Sequence, residues 1–431
     1  MDACLVVIGL DFRTAPLDVR ERFWMGERQR AQAVTELLAA DGIDEIILLS
    51  TCGRTEFILW SSDFSAAADS VLKFLTRTCG LRLCQWKHFY RLMCEDALRH
   101  LFRLTASLGS RAIGNPQITA EVRAAWTEAQ HIGAAGAVLD KIFDKALQLA
   151  ERIRSQTALG EIAVSQPAAA VQMLNHRLGT LQGRRVLVLG AGISGEAAAR
   201  AAVTAGAKVT LSSRSYEHAR EMADRVGVQA VPFEDRCPVL VEADAAISCL
   251  GAGHMVLPAE EVERMVHQRD GRPLFLVDLG MPRTIATAVR CTPGVFLCDL
   301  DDLAPLLLPR GEKAASIVAH ADALIAAELP LMSHNLGSER VAPTIAALRE
   351  RLDQFRRQEL QSYCAETGPL SEHEQQALDV LSHRIVQRIA GSVAQELNQS
   401  PQAPEQDKMS SAVQRIFHLL GAKATLAGRR H

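Results

Sequence analysis

The sequence lacks several features that would place it in a special class of proteins. It has no run of eighteen or more apolar residues, which is the length that a membrane-spanning helix needs. No basic, signal-like segment precedes the first apolar run at residues 5–8. The ten cysteines show no repeated C-x-x-C spacing, which disfavours both zinc binding and a disulfide framework. These absences predict a cytoplasmic protein with no membrane segment and no metal site.

An excess of positive charge is also missing. The formal net charge is -3, so the chain has no overall basic signature for binding DNA or RNA without sequence preference. Contact with a nucleic acid would depend on local clusters, and the sequence has two candidates: Arg99 with Arg103, and Arg349, Arg351, Arg356 and Arg357. The simpler interpretation of each cluster is a solvated helix face. No DNA partner is predicted.

The chain does contain enough apolar material for two or three cores, with 431 residues and 48% hydrophobic content. In residues 1–160, short strand-like runs alternate with helical ones, which predicts an N-terminal α+β domain. Its predicted strands are residues 5–10, 45–49 and 56–60. Helical periodicity predicts one helix at residues 136–158 and another at residues 167–178, where Pro167 occupies a permitted first-turn position.

The middle of the chain, residues 161–310, is predicted to be a Rossmann-like domain, because apolar strands alternate with helices in the manner of a parallel sheet. Its predicted strands are residues 186–189, 208–212, 245–248, 274–278 and 295–297. Residues 311–431 are predicted to be helical. Two apolar stripes support this, one at Ile345, Leu348, Leu352 and Phe355 and one at Leu378, Leu381, Ile385, Ile389 and Val393. A dimerisation surface is favoured over a self-contained bundle.

A glycine motif connects the first strand of the middle domain to its helix. It reads Gly190, Ala191, Gly192, Ile193, Ser194, Gly195. After a buried strand, Gly190 permits a tight turn, Gly192 lets the backbone approach a pyrophosphate, and Gly195 lets helix and strand pack closely. The helix N-terminus then faces the phosphates. The motif predicts a dinucleotide site, and the alternative is a tight turn with no ligand.

The end of the next strand indicates which dinucleotide binds. An NAD site usually has an acidic residue there, which accepts hydrogen bonds from the ribose 2′-hydroxyl. Here the strand continues into Ser213, Arg214 and Ser215. A guanidinium flanked by hydroxyl groups suits a 2′-phosphate, so NADPH is the predicted cofactor. The alternative is an exposed loop arginine.

A candidate nucleophile, Cys52, lies in a loop between two predicted strands, in the run Ser50 to Glu56. A loop cysteine is often an indifferent small residue. Arg54 strengthens the catalytic interpretation, because a nearby positive charge favours the thiolate, which is the nucleophilic form.

Taken together with other segments, this run resembles the glutamyl-tRNA reductase family over nearly the whole chain. The resemblance rests on ordered segments at residues 9–16, 20–21, 50–56, 100–101, 107–110, 114–118, 152–154, 163–165, 190–195 and 276–283. It implies an enzyme that reduces glutamyl-tRNA to glutamate-1-semialdehyde with NADPH. It also implies a V-shaped homodimer joined by C-terminal helices, and transfer of the aldehyde to glutamate-1-semialdehyde aminomutase.

The resemblance also implies roles for particular residues. Cys52 matches the family nucleophile, His100 the histidine beside the reacting carbonyl, and Arg54 the arginine that receives the substrate carboxylate. The remaining positions that match the glutamate pocket are Thr51, Ser110, Gln117 and Ser165.

Several pocket positions depart from the family pattern. The family usually has Asn-His at Asp11 and Phe12, Asn at Gly53 and Glu at Asn115, and its counterpart of the 107–110 loop is one residue longer and contains an Asp. These departures leave two rival functions open. One is a diverged paralogue that reduces another aminoacyl-tRNA or acyl donor, and the other is a non-catalytic NADPH-binding regulatory relative.

The expected mechanism follows from the chemistry of acids. A free carboxylate is a poor electrophile, and an ester to tRNA activates it. Cys52 would displace the tRNA to form a thioester, with His100 and backbone N–H groups stabilising the oxyanion or protonating the departing oxygen. Because nucleophile and cofactor are predicted on different domains, a hinge near residues 160–185 is expected to change their separation, and a fixed geometry is the alternative.

Overall fold

A computed structural model describes residues 3–251, 253, 255–367, 372–399 and 403–419. The chain divides into two compact units, one formed by Cys4–Ala326 and one formed mainly by the chain from Ala327 onward. The first unit contains an antiparallel-sheet region, residues 4–156, and a parallel-sheet region, residues 166–307.

The antiparallel-sheet region is an α+β layer, as predicted. Its sheet has the strand order β2-β3-β1-β4, and every neighbouring pair is antiparallel. The three predicted strands are present, and β4 was missed because it has only four residues, one of them the exposed Arg91. The elements are β1 (Cys4–Asp11), α1 (Leu17–Phe23), α2 (Glu27–Leu38), β2 (Glu45–Ser50), β3 (Arg54–Ser61), α3 (Phe64–Cys79), β4 (Tyr90–Met93), α4 (Cys94–Thr105), α5 (Gln117–Ile132) and α6 (Ala137–Gln156).

Strand β3 is buried along its whole length although it begins with the polar residues Arg54, Thr55 and Glu56. Buried polar side chains need hydrogen-bond partners, because an unpaired polar group in the interior is costly. Thr55 Oγ1 donates to the carbonyl of Phe23 at 3.0 Å, and Arg54 and Glu56 pair with each other. The polar residues at the start of β3 therefore have hydrogen-bond partners in the interior. They lie directly after the loop that carries Cys52.

The parallel-sheet region has six parallel strands in the order β10-β9-β8-β5-β6-β7. This is the order of a dinucleotide-binding fold, in which ligands bind at the carboxyl ends of the strands where the order reverses. The five predicted strands are present, and the three-residue strand β7 was missed. The elements are α7 (Gln166–Arg177), β5 (Arg185–Leu189), α8 (Ile193–Thr204), β6 (Lys208–Ser212), α9 (Tyr216–Val226), β7 (Gln229–Val231), α10 (Arg236–Glu242), β8 (Ala245–Ser248), α11 (Ala259–His267), β9 (Leu274–Asp278), β10 (Val295–Cys298) and α12 (Ala304–Leu307).

The two regions of the first unit share part of their packing. Leu17 and Ala112 of the antiparallel-sheet region belong to the same buried cluster as Ala169 and Val188 of the parallel-sheet region. Cys52 packs against the edge of that cluster. The cysteine loop therefore packs against the parallel-sheet region through apolar contacts. Separating the two would expose apolar surface to water, which is unfavourable.

The second unit is helical, as predicted, and consists of α13 (Glu312–Thr367), which begins in the first unit, α14 (Glu372–Gln399) and α15 (Ala403–Ile416). Leu348, Leu352, Val386 and Ala390 form a small core. Much of the predicted stripe on α14 lies outside this core: Leu381, Ile385 and Ile389 are 58%, 52% and 43% exposed.

Among the described residues, one helical segment, Glu312–Ser333, is long and apolar enough to cross a membrane by composition alone. Its buried residues, including Ala321, Ile325 and Leu329, recur at helical spacing on one face. One-sided burial at this spacing is typical of a helix that packs in a protein core.

Both basic clusters are largely neutralised by acids. Arg99 pairs with Glu95 at 2.7 Å and Arg103 pairs with Asp322. In the C-terminal cluster, Arg356 pairs with Asp353 and Asp379, and Arg357 pairs with Asp353. These pairs support the interpretation of the clusters as solvated helix faces.

Candidate active site

A tight hairpin places Cys52 between β2 and β3. Ser50 pairs with Thr55 at the ends of the two strands, and the backbone N–H of Thr51 donates to the carbonyl of Arg54 at 2.8 Å. Thr51 Oγ1 accepts the N–H of Gly53 at 3.2 Å. Because these bonds close the turn from both sides, the Cys52 side chain is held at its tip.

Two adjoining cavities meet at Cys52. The small cavity has a volume of about 50 Å³ and lies within the antiparallel-sheet region and the start of α7. The large cavity has a volume of about 330 Å³ and extends from Cys52 to the loops of the parallel-sheet region. Five residues line both cavities, namely Thr51, Cys52, Gln117, Glu121 and Gln166. The thiol therefore faces a space that both regions enclose.

The structure brings five of the seven predicted catalytic and substrate-binding residues to the small cavity. They are Thr51, Cys52, Arg54, Ser110 and Gln117. Ser110 Oγ donates to backbone carbonyls of its own loop, at 2.7 Å to that of Ala112. Gln117 Nε2 donates to Glu121 Oε1 at 3.0 Å. Residues far apart in the chain thus converge on one polar pocket.

Ser165 and His100 do not line either cavity. Ser165 is the N-cap of α7, and its hydroxyl accepts the N–H of Ala168 at 3.3 Å, which is a common role for serine at this position. The next residue, Gln166, reaches the thiol instead, and its Nε2 lies 3.3 Å from Cys52 Sγ.

His100 belongs to a buried polar network beneath the cavities. Its Nε2 lies 3.0 Å from Glu56 Oε1, which also accepts from Arg54 Nη1 at 2.6 Å and from the hydroxyl of Tyr90. Burial raises the pKa of Glu56, but His100 and Arg54 outweigh it and the pKa ends well below its ordinary value. A place beside the reacting carbonyl stays a prediction for His100, which lines neither cavity. Its contact is with the carboxylate that holds Arg54.

The five largest influences on the pKa of Cys52 do not include Arg54. Arg54 is 2% exposed, and its guanidinium donates to Glu56 and, at 2.5 Å, to the carbonyl of Gly109. Burial raises the pKa of Cys52 above its ordinary value, and the charge of Glu121 raises it further. The groups that act in the opposite direction are Gln166, Arg111 and Arg20. The resting form of Cys52 at neutral pH is therefore the thiol.

Glu121 is an acidic residue of the pocket that the sequence did not single out. It follows Gln117 by one turn of α5, so both side chains lie on the same face of the helix. Burial raises its pKa, while the hydrogen bond from Gln117 and the charge of Arg54 oppose that effect. Glu121 thus lines both cavities and acts on the pKa of Cys52.

The glycine turn after β5 has the geometry that the motif predicted. Gly190 has a φ of +115°, and a Cβ at Gly195 would lie 2.0 Å from the Gly190 carbonyl oxygen. Gly192 is the N-cap of α8, and a Cβ there would meet nothing within 4 Å. Two glycines are thus required by packing, and the third leaves the helix N-terminus open to an anion.

The other predicted cofactor residues lie around the same turn. Ile193 is exposed, Ala191 is half-buried, and Ser194 lines the large cavity. Ser213 and Arg214 follow β6, beside the turn, because the N–H of Gly190 donates to the carbonyl of Ser212 at 2.8 Å. The Arg214 side chain is exposed and has no partner among the described residues.

Loops of the parallel-sheet region form the far wall of the large cavity. This wall is mostly apolar or backbone, with Ser194, Cys249, Leu250, Gly251, Leu279 and Met281. Burial raises the pKa of Cys249 to about 12, so this second thiol stays protonated at neutral pH. The cavity therefore has one wall that carries the Cys52 thiol and a second, mostly apolar wall that suits the flat ring of a cofactor.

A buried carboxylate fixes the loop that carries Met281. Asp278 accepts hydrogen bonds from the N–H groups of Gly280, Thr284 and Ile285, at 2.9, 2.7 and 2.8 Å. Arg283, three residues after Gly280 in the same loop, reaches Glu21 of α1, where Nε lies 2.9 Å from Oε2.

The positions that depart from the family pattern also have a structural account. The Phe12 ring lies under Arg111, whose Cζ is 5.1 Å from the ring centroid. A Cβ at Gly53 would meet only Thr51 Oγ1, at 3.9 Å, so the turn does not itself require glycine. Asn115 Oδ1 accepts the N–H of Gln117 at 3.0 Å. Gly53 and Asn115 line the small cavity, whereas Phe12 affects it only through its contact with Arg111, and the Cys52 turn is intact.

Several residues of the site were missed because their side chains act through tertiary contacts. Gln166 is adjacent to Ser165, and Arg111 lies between the segments that were singled out at residues 107–110 and 114–118. The i, i+4 spacing from Gln117 could have identified Glu121. The cavity residues Leu279 and Met281 lie in the segment at residues 276–283, which was noted only for its resemblance.

Comparison with known sequences agrees with this architecture. Three family profiles match consecutive parts of the chain: "Glutamyl-tRNAGlu reductase, N-terminal domain" at residues 8–157, "Shikimate / quinate 5-dehydrogenase" at 172–306, and "Glutamyl-tRNAGlu reductase, dimerisation domain" at 320–419. Glutamyl-tRNA reductase of Solibacter usitatus is 32% identical over 417 residues, which cover 96% of this chain and 99% of the relative. The chain belongs to the glutamyl-tRNA reductase family.

Other members of the glutamyl-tRNA reductase family extend the match. The enzyme of that name from Moorella thermoacetica is 34% identical over 418 residues, covering 96% of this chain and 95% of the relative. Among solved structures, glutamyl-tRNA reductase from Methanopyrus kandleri aligns with 26% identity and a TM-score of 0.52, covering 96% of this chain and 99% of that one. The likeness thus spans all three parts of the chain.

Proposed function

We propose that this chain is a glutamyl-tRNA reductase that uses NADPH and forms a thioester on Cys52. The observation that carries the proposal is the large cavity, in which Cys52 faces the glycine-turn side of a dinucleotide-binding sheet. A nucleophile and a cofactor site that share one cavity suit an acyl group that is first captured and then reduced.

In the first step, Cys52 Sγ attacks the carbonyl carbon of the aminoacyl ester, and the bond to the tRNA 3′-oxygen breaks. The thiol proton ends on that oxygen, so the step needs no other reactant. Because burial raises the pKa of Cys52, the anion must be stabilised as it forms. Gln166 Nε2, 3.3 Å from Sγ, is positioned to do so, and Arg111 and Arg20 assist through their charges.

In the second step, the thioester carbon is reduced and the Cys52 thiolate leaves, which gives glutamate-1-semialdehyde. NADPH, when bound, supplies the hydride for this step. The glycine turn fits such a cofactor, because Gly192 leaves the N-terminus of α8 uncovered and Arg214 presents a free guanidinium beside it. The apolar loops around Leu250 and Met281 limit access of water to the thioester.

The small cavity is proposed to hold the glutamyl group. Thr51, Ser110 and Gln117 offer polar side chains, and Arg54 lies on its wall. The guanidinium of Arg54 is fixed in place by Glu56, and Glu56 is in turn bonded to His100. We therefore assign His100 to positioning Arg54 rather than to proton transfer at the carbonyl.

A homodimer and a cytoplasmic location complete the proposal. The exposed row of Leu381, Ile385 and Ile389 on α14 is an apolar surface within the part of the chain that matches the dimerisation profile. The V-shaped arrangement and delivery of the reactive aldehyde to an aminomutase are part of the same proposal. They rest on the family relationship alone.

The decisive experiment is mass spectrometry of the protein mixed with glutamyl-tRNA in the absence of NADPH. We expect a glutamyl adduct on the peptide that contains Cys52, and loss of that adduct when NADPH is added. Absence of the adduct, combined with continued NADPH consumption, would exclude the thioester mechanism.

The rival substrate is tested in parallel, because Gly53 and Asn115 line the small cavity and Phe12 contacts Arg111 on its wall. Several charged tRNAs are offered to the enzyme and NADPH consumption is measured with each. Consumption with glutamyl-tRNA alone supports the proposal. Consumption with a different aminoacyl-tRNA instead identifies a paralogue that uses the same chemistry.

A further inference from the structure

We propose that Asp301 and Glu21, with Arg20, Arg111 and Arg283, form an ionic latch that holds Cys52 against the parallel-sheet wall. The latch is required for reduction of the thioester but not for its formation. This inference rests on the proposed function. It assigns a positioning role to five residues, of which only Arg111 lines a cavity, the small one.

Asp301 is the centre of the latch. It lies between β10 and α12 in the parallel-sheet region, and all its charged partners come from the antiparallel-sheet region. Its Oδ1 accepts from Arg20 Nη2 at 2.5 Å and from Arg111 Nη2 at 2.7 Å. Its Oδ2 accepts the backbone N–H of Leu17 at 2.9 Å. One carboxylate thus connects the start of α1 and the loop between α4 and α5 to the parallel-sheet region.

The two arginines are buried, which makes them dependent on Asp301. The side chains of Arg20 and Arg111 are 1% and 6% exposed. Arg20 Nε and Nη1 have no hydrogen-bond partner, so Asp301 holds the one nitrogen of this group that is paired in the described structure. Arg111 also donates to the carbonyl of Leu300. A buried guanidinium that lost its carboxylate would favour an arrangement open to water.

A second ion pair lies across the same boundary. Arg283, in the loop fixed by Asp278, donates to both carboxylate oxygens of Glu21, at 2.9 Å from Nε and 2.5 Å from Nη2. Helix α1 is therefore bound to two separate segments of the parallel-sheet region. Two attachment points restrict rotation as well as separation.

The latch bears on reduction because it acts on the geometry of the cavity. Acylation needs Cys52 and the small cavity, and the one residue of the parallel-sheet region that lines this cavity is Gln166 at the start of α7. Reduction also needs the wall that carries Leu250 and Met281. A misplacement of about 1 Å between reacting groups can cost roughly 100-fold in rate. Loosening the boundary should therefore slow the second step selectively.

The sign of the electrostatic effect sharpens the test. Asp301 partly neutralises Arg20 and Arg111, the two cations that favour the Cys52 anion. Removing the charge of Asp301 leaves those cations stronger, so formation of the thioester should not slow. A loss of reduction alone would therefore support the latch.

The experiment compares Asp301→Asn, Glu21→Gln and the wild type in two half-reactions. Acylation is followed by mass spectrometry with glutamyl-tRNA alone, and reduction by NADPH oxidation in a single turnover of pre-acylated enzyme. We expect acylation within about twofold of the wild type and reduction slowed by roughly 100-fold in Asp301→Asn. The matched control is Asp302→Asn, since Asp302 pairs with Arg290 inside the parallel-sheet region. It should leave both steps unchanged.

Parallel losses in both half-reactions, or no loss in either, would overturn the latch. If Asp301→Asn does not fold, Glu21→Gln decides the matter by the same two measurements, because it removes the other ion pair. Asp301→Glu, which keeps the charge, should recover part of the reduction rate.

Hydrogen exchange provides a readout that is independent of activity. The Leu17 amide is bonded to Asp301, so its exchange should become faster in Asp301→Asn and stay slow in Asp302→Asn. Unchanged exchange at Leu17 would count against the latch. If the wild type forms no glutamyl adduct while exchange responds as expected, the proposed function fails and the structural latch stands.

Discussion

The two walls of the large cavity differ in the chemical character of their side chains. The antiparallel-sheet wall carries ionisable and polar groups, including Cys52, Glu121 and Arg30. The parallel-sheet wall consists of glycine, apolar side chains, Ser194 and a thiol that burial keeps protonated. The first wall can make and break a covalent bond to the substrate. The second can accept a cofactor that brings its own chemistry.

This difference teaches where each kind of substitution should act. A change on the polar wall should affect acyl capture and leave cofactor binding intact. A change on the parallel-sheet wall should affect cofactor binding and leave acyl capture intact. Variants that affect both properties to the same extent would show that the walls are not independent.

The largest expected effect is that of Cys52→Ser. A serine hydroxyl is a much weaker nucleophile than a cysteine thiolate, so reduction of glutamyl-tRNA should fall by roughly a thousandfold or more. NADPH binding, measured by fluorescence titration, should not change. The control is Cys84→Ser, at an exposed cysteine remote from the cavities. Retained turnover in Cys52→Ser would remove the nucleophile from the proposal.

The next largest effect is expected on the opposite wall, for Gly195→Ala. The new Cβ would lie 2.0 Å from the Gly190 carbonyl oxygen, and backbone on both sides prevents easy relief. Overpacking of this kind costs about 1–3 kcal/mol, so NADPH affinity should weaken by roughly tenfold to hundredfold while acylation of Cys52 continues. Gly160→Ala, where an added Cβ meets nothing within 4 Å, is the control. Loss of acylation in Gly195→Ala would contradict the division between walls.

A smaller effect is expected for Arg214→Ala at the edge of the cofactor site. If the guanidinium binds a 2′-phosphate, its loss removes charge-assisted hydrogen bonds, and the KM for NADPH should rise by about tenfold. The KM for NADH should change little, because NADH lacks that phosphate. Arg220→Ala, at an exposed arginine on the following helix α9, serves as the comparison. Equal changes for the two cofactors would assign Arg214 to the loop surface.

The smallest effect is a shift in titration for Glu121→Gln. Burial and then the charge of Glu121 raise the pKa of Cys52, so removing that charge should lower the pKa. The pH dependence of Cys52 alkylation by iodoacetamide should accordingly move to lower pH, with more thiolate at neutral pH. Glu151→Gln, on the surface of α6, should leave the profile in place. A shift to higher pH would mean that Glu121 does not face the thiol.

The sequence predicted the elements whose signals are local. Continuous apolar runs identified the strands of the parallel sheet, and the glycine spacing predicted the turn at Gly190 with the correct role for Gly195. Short strands such as β4 and β7 were missed, because three or four residues give too little periodicity to distinguish them from loops.

The electrostatics of the site could not be predicted in the same way. Adjacency in sequence suggested that Arg54 would assist Cys52, but strand β3 buries Arg54 against Glu56. The cations that do favour the thiolate, Arg20 and Arg111, come from other parts of the chain. Charge at a site depends on which side chains meet in three dimensions, and sequence spacing does not supply that information.

Asp278 has a consequence for how this enzyme can change over time. Its single carboxylate sets the shape of a loop that contributes Met281 to the chamber and Arg283 to the contact with Glu21. The width of the large cavity and the contact between the two regions therefore depend on the same residue. A mutation that enlarges the space for a bulkier substrate by reshaping this loop would also loosen the molecule, so new specificities should arise more readily from the opposite side of the chamber.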